Sequence, residues 1–169
     1  MTPSLCALAL AVWALPLATA AGDPPVIEHQ PVPCTVPGKA ISLCAAVSAD
    51  TMVATARIYF RPAGEDFYSF VDMTFGGISY CGTIPAPREG KVKVIEYYLQ
   101  AVDDQYQPTR TSTFQMNVQP EGMCEFPPTE KDAGKAAAIK VFATNRKQGN
   151  KMHDAFVTTG VTFVPVLAR

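Results

Sequence analysis

From Val26 to about Gln119, apolar and polar side chains alternate with a period of two, in short runs set apart by proline, glycine and aspartate. A helix cannot bury such a pattern on one side, whereas a strand with one wet face demands it. The first run, VIEHQ, follows Pro24-Pro25 and stops at Pro31. ISLCAAVSA then turns Ile41, Leu43, Ala45 and Val47 to one side, and VATARIYFRP does the same with Ala54, Ala56, Ile58 and Phe60. DFYSFVDMTF sets Phe67, Ser69, Val71 and Met73 against Tyr68, Phe70, Asp72 and Thr74. GISYCGTIPAP aligns Ile78, Tyr80, Gly82 and Ile84, and KVIEYYLQAVDD aligns Ile95, Tyr97, Leu99 and Ala101. STFQMNV closes the series with Phe114, Met116 and Val118. About seven such strands predict an all-β, antiparallel two-sheet sandwich over residues 21–120. No helical period of useful length precedes residue 120, which argues against βαβ units and the cofactor crevice they build.

The first twenty residues, MTPSLCALALAVWALPLATA, carry no charged side chain. An apolar run from Leu5 to Leu17 leads into Ala18-Thr19-Ala20, small residues where a signal peptidase reads, so residues 1–20 are expected to be a cleaved secretory signal. Basic residues before the run are missing, and the alternative is a retained N-terminal anchor. Cleavage would remove Cys6 and Trp13, leaving Cys34, Cys44, Cys81 and Cys124. Four cysteines in an oxidising compartment read as two disulfides, with three pairings open. The formal net charge of −1 offers neither a nucleic acid nor an anionic membrane a basic field. No later apolar stretch reaches the length of a membrane span, so no integral segment is expected after processing. The expected location is secreted or periplasmic.

Beyond Gln119 the composition shifts. Residues 121–137 read as a linker rich in proline and charge. Residues 138–169 contain two candidate strands, AAIKVFATN and GVTFVPV, joined by a basic loop RKQGNKMHDAF, and so read as a hairpin-like extension. Two strands alone are marginal in water, so the extension is expected to pack on the sandwich edge unless it serves a partner.

EYYLQAVD, with Tyr97-x-Leu99-x-Ala101 turned inward and Asp103 opening a turn, resembles the sixth strand of fibronectin type III and related immunoglobulin-like domains. YCGTIPAP, a short polar loop and then EYYLQAVD resemble the immunoglobulin-like modules of secreted bacterial envelope proteins. The resemblance spans Pro24 to Gln119 and departs from the fibronectin pattern in having cysteines and, in the mature chain, no tryptophan. It implies a scaffold that displays surfaces and says little about activity. In an immunoglobulin-like order the strands carrying Cys44 and Cys81 are sheet neighbours, so the resemblance implies a bond between them. It leaves Cys34, beside the first strand, for Cys124, just after the last.

Chemistry has little to work with. His29 and His153 stand in no metal-ligand spacing, and His153-Asp154 has no nucleophile elbow to serve. Gly77-Ile78-Ser79-Tyr80-Cys81 misses the G-x-S-x-G pattern at its last position. Asp103 and Asp104 could face a calcium ion, but no D-x-D-x-D-G loop surrounds them. No catalytic residue, cofactor or metal ligand is therefore assigned, and the chain is read as a non-enzyme. Tyr59, Tyr68 and Phe70 fall at outward phase and form the candidate interaction surface. The expected partner is an envelope or extracellular protein. The alternative is a polysaccharide stacked on these rings, although the mature chain lacks the tryptophan that sugars favour.

Overall fold

The structure, a computed structural model, describes residues 22–125, 138–143 and 146–166. The predicted signal and most of the predicted linker lie outside the described residues. In chain order the first strands are β1 (Val26–Glu28), β2 (Cys34–Thr35), β3 (Ile41–Ser48), β4 (Val53–Pro62), β5 (Ser69–Asp72) and β6 (Thr74–Phe75). Next come β7 (Tyr80–Ile84), β8 (Val94–Asp103), β9 (Pro108–Arg110), β10 (Phe114–Val118) and β11 (Ile139–Ala143). Helix α1 (Arg146–Ala155) and strand β12 (Val161–Pro165) complete the described fold. They form two sheets, β1-β3-β7-β6 and β12-β11-β5-β4-β8-β10-β2, with β9 beside β8. The chain is all-β in class, with a sandwich at its centre.

The inner faces come from the alternation. Ile41, Leu43 and Ile84 of the smaller sheet meet Ile58, Phe60, Ile95, Tyr97, Leu99 and Met116 of the larger one, all sealed from solvent. Burying each such side chain is worth about 1.5–3 kcal/mol. At Gly82 the neighbouring chain leaves no room for a side chain. A Cβ there would lie 2.7 Å from Ile58 Cδ1 and 3.3 Å from the Asp72 carbonyl.

Several sequence expectations need correction. The DFYSFVDMTF run is two strands: β5 belongs to the larger sheet and β6 to the smaller, with Met73 between them bonded by its amide to the Ala56 carbonyl. Pairing begins only at Ser69, so Phe67 stays exposed instead of entering the core. Ile78, expected inward, is 93% exposed because residues 76–79 form the turn before β7. A register shift between Val53 and Thr55 turns Val53, rather than Ala54, toward the core.

A further correction concerns the C-terminal segment, which is not a hairpin. β11 and β12 run parallel, which a tight turn cannot connect, and α1 occupies the segment read as a basic loop. The segment joins the sandwich at two places. β11 pairs antiparallel with β5, placing Phe142 opposite Phe70, while Met152, Ala155 and Phe156 enter the common core. Phe156 meets Phe60 edge to face at 5.5 Å, and the 86–88 segment bonds to Ala155, Phe156 and Val157. On the outer edge of β12 the register exposes the backbones of Val161, Phe163 and Pro165. The Val161 amide is taken by the Thr158 carbonyl and proline has none, which blunts this edge against further pairing.

Disulfides join Cys34 to Cys124 and Cys44 to Cys81. The first ties β2 to the turn after β10 across 90 residues and is buried; in the chain-entropy view such a loop is worth about 4 kcal/mol. The second joins residues directly opposite across β3 and β7, with Cys44 exposed on the outer face. Limited reduction followed by alkylation and peptide mapping should therefore label Cys44 and Cys81 before Cys34 and Cys124; the reverse order would contradict this packing. Ser69 supplies a second test. Its hydroxyl is buried beside β4 and β11 with no hydrogen-bond partner among the described residues. Ser69→Ala should raise the unfolding free energy by about 1 kcal/mol in denaturant titration, since an unmet buried hydroxyl carries a penalty of that order.

Candidate recognition surface

Along β4 and β8 the residues between the core positions form the outer face of the larger sheet. Register sets Phe142, Phe70, Tyr59 and Tyr98 side by side on four adjacent strands. Phe142 stacks on Phe70 at 4.8 Å, Phe70 meets Tyr59 at 5.2 Å, and Tyr59 stacks on Tyr98 at 4.8 Å. Tyr68 closes the row edge-on to Tyr98 at 4.9 Å. Neighbouring rings of this kind favour one another by about 0.5–1.5 kcal/mol per pair beyond the area they bury.

Three guanidinium groups lie over this row. Arg57 sits 4.5 Å from the Phe70 ring centre, Arg61 4.3 Å from that of Tyr68, and Arg110 4.3 Å from that of Tyr98. Arg57 is also paired with Asp72 at 2.9 Å and Arg61 with Glu96 at 2.8 Å. Arg110 has no carboxylate partner among the described residues. The surface is thus a contiguous row of rings and guanidinium groups, cationic at the Arg110 end.

Of the three residues expected to form an exposed stripe, Tyr59 and Tyr68 are half-buried on this face. Phe70 must be corrected: only 7% of it is exposed, because Phe142 covers one side and Arg57 lies over the ring. Sequence reasoning missed Phe142 because the C-terminal segment carries no phase relation to the sandwich. It missed the arginines because Arg57, Arg61 and Arg110 read as ordinary solvated charges. Tyr98 was hidden by its neighbour Tyr97, whose inward phase dominates that strand.

The remaining candidates are engaged in structural bonds. His29 Nδ1 lies 2.8 Å from the Cys44 carbonyl, which can only accept, so Nδ1 carries the proton. Nε2 then accepts from the Tyr97 hydroxyl at 3.0 Å, and that oxygen accepts the Val32 amide at 2.9 Å. Asp103, deeply buried, accepts the amides of Gln105 and Gln107 with Oδ1, at 3.0 and 2.7 Å. Asp104 is exposed, and the Asp103–Asp104 pair belongs to no group of three potential metal ligands among the described residues. His153, in the last turn of α1, packs on Phe163 at 4.1 Å. A shallow cleft of about 260 Å³ between β5, β7 and β11 is lined by Asp72, Thr83 and Lys140 among others.

No family model matches the chain, and no curated protein matches it. Among solved structures, a crystal structure of an engineered protein from a structural genomics consortium is similar at 12% identity and a TM-score of 0.39. The match covers 56% of this chain and 20% of the engineered one.

Burial holds the His29 pKa below the free value of 6.5, and its bond to the Cys44 carbonyl opposes the shift only in part. Protonation would turn Nε2 into a donor facing an oxygen that already accepts the Val32 amide. Because the folded pKa is the lower one, the unfolded chain binds the proton more readily. The His29 contribution should be complete above pH 6.5, decline as pH falls through 6.5 toward the depressed value, and level off below it. Unfolding measured from pH 8 to 5 should show this decline in the wild type and a smaller one in His29→Gln. Equal slopes would remove His29 as the cause.

Proposed function

We propose that this chain is a non-catalytic, immunoglobulin-like module of the cell envelope, exported by its N-terminal signal, that holds a partner protein. The observation that carries the reading is the aromatic row on the larger sheet, capped by three arginines. Tyrosine and arginine are among the side chains from which protein interfaces draw most of their energy. Arg110, with no carboxylate partner among the described residues, favours a partner that brings one.

Other features support the same reading. The chain-order arrangement of β1, β3, β7 and β6 against β5, β4, β8 and β10, with β2 alongside β10 in parallel, is the order an immunoglobulin-like sandwich would have. Two disulfides suit an oxidising compartment, and no described helix is long and apolar enough to cross a membrane. Cysteines, His29 and Asp103 all serve the architecture, which favours binding over turnover. A sugar platform is less well supported, because guanidinium groups occupy faces of Tyr68 and Tyr98 where a sugar would stack.

Crosslinking pull-down from native envelope extract tests the reading, using wild type, Tyr59→Ala/Tyr68→Ala and Arg110→Glu. A protein captured by the wild type should be retained about tenfold less by each variant, as loss of an interface anchor implies. Equal capture by all three would move the contact elsewhere. Failure to capture any protein would sink the reading. Retention on polysaccharide that depends on Tyr68 would replace it with carbohydrate binding.

A further inference from the structure

The end of the sandwich where β3 leaves its sheet and β4 begins carries a second surface, of different chemistry. Three segments meet there through hydrogen bonds. The Asp104 amide donates to the Met52 carbonyl at 2.9 Å, Gln107 Nε2 to the Gly22 carbonyl at 2.8 Å, and the Asp23 amide to Asp50 Oδ2 at 3.0 Å. Register brings the β6–β7 turn to the same end, since Tyr80 opposes Ala45 and Val26 opposes Ser48.

Large apolar side chains point out of this end. Tyr106 is 87% exposed and Met52 66%, and the β6–β7 turn adds Ile78. Tyr106 is the sole residue other than glycine found at positive φ, 63°, among the described residues. Such a conformation persists only where its surroundings over-determine it. Here they do: Asp103 Oδ1 holds the amides on either side of Tyr106, and the Tyr106 and Asp103 amides close the turn on the Asp103 and Gln107 carbonyls. A buried carboxylate is committed to holding a loop whose tip is an aromatic ring in water. Order at that tip lowers the entropic cost of binding.

The charge at this end is one-sided. Residues 22–25, 49–52, 76–79 and 104–107 contain Asp23, Asp50 and Asp104 and no lysine or arginine. These facts separate the loop end from the arginine-capped sheet face. We infer that it is a docking surface for a protein segment with an apolar centre flanked by lysine or arginine, with Tyr106 as anchor and Met52 and Ile78 as further apolar contacts at the same end. The inference goes beyond the proposed sheet-face contact and does not depend on it.

A random peptide library panned on the disulfide-bonded full chain tests the surface without knowledge of the natural partner. Selected peptides should place lysine or arginine beside leucine, isoleucine or phenylalanine. Tyr106→Ser and Met52→Ser should each weaken them about tenfold while leaving thermal unfolding unchanged, because both side chains are exposed. Exchanging the basic residues of a selected peptide for glutamate should abolish its binding. Asp103→Ala should weaken the same peptides with Tyr106 intact, and Asp103→Asn, which keeps an acceptor, should recover them. Peptides that are acidic, that bind Tyr106→Ser as well as wild type, or that depend on Tyr68 would overturn the inference. So would sedimentation with phosphatidylcholine vesicles that depends on Tyr106 and Ile78, which would make the tips a lipid-insertion site.

Discussion

The pairing of β4 with β8 is the constraint from which the rest of the structure follows. Nine residue pairs run from Val53 opposite Asp103 to Pro62 opposite Ile95, at the centre of the larger sheet. Because side chains alternate, this one register decides both faces together. It turns Ile58, Phe60, Tyr97 and Leu99 into the core and leaves Arg57, Tyr59, Arg61, Glu96 and Tyr98 outside. A slip by one residue would bury two arginines and a glutamate while exposing the largest apolar side chains. No compact alternative could recover that loss, since an unpaired buried charge alone costs several kcal/mol. The outer aromatic row and the inner core are therefore two consequences of one pairing.

The C-terminal segment extends that row. Opposite Phe70, Phe142 adds a fifth ring, and α1 with the residue after it supplies Met152 and Phe156 to the core from the same short stretch. An antiparallel hairpin could have covered the β5 edge more cheaply. The parallel arrangement instead forces a crossover, and the crossover helix covers the end of the core near Phe60 that the two sheets leave open. The Lys151–Glu65 ion pair holds the helix to the β4–β5 connection. At the outer limit, Pro165 and the Thr158 bond leave β12 poorly suited to accept another strand, and among the described residues it is the edge of the sheet.

How much of this was legible depended on whether a feature was periodic. Ile41, Leu43, Ile58, Phe60, Ile95, Tyr97 and Leu99 declare their inward direction by alternation alone, and they are the core. Strand ends and sheet switches are decided instead by which neighbour takes the backbone bonds. Nothing in DFYSFVDMTF marks Met73 as the point where the chain changes sheets, because alternation continues through it. Ile78 looked inward for the same reason, since Gly76-Gly77 signals a turn but not that the turn extends to Ser79. The helix α1 hid behind its polar composition. Of the described side chains in RKQGNKMHDA, those of Met152 and Ala155 are buried, too few to announce a period. At the sheet face, Tyr59 and Tyr68 were visible by phase. What covers Phe70 was not, because it comes from a strand more than seventy residues later.

The buried polar groups explain why both surfaces can be stiff. Tyr97, His29 and Val32 form a chain of bonds that pins the strand β1 exit to the middle of β8. At the far end of the same strand, Asp103 fixes the loop that carries Tyr106. Tyr97 and Asp103 are buried, so leaving the hydroxyl or the carboxylate unsatisfied would be costly, and each arrangement persists only while its partners stay in place. β8 thus lies in the core along its length, carries Tyr98 of the aromatic row on its outer face, and ends in the anchor of the loop surface. A partner bound at either surface would lean on the same strand. The arginine-capped face lies at its side and the aspartate-bearing loops at its end, so both proposed surfaces rest on the pairing and the hydrogen bonds of this one strand.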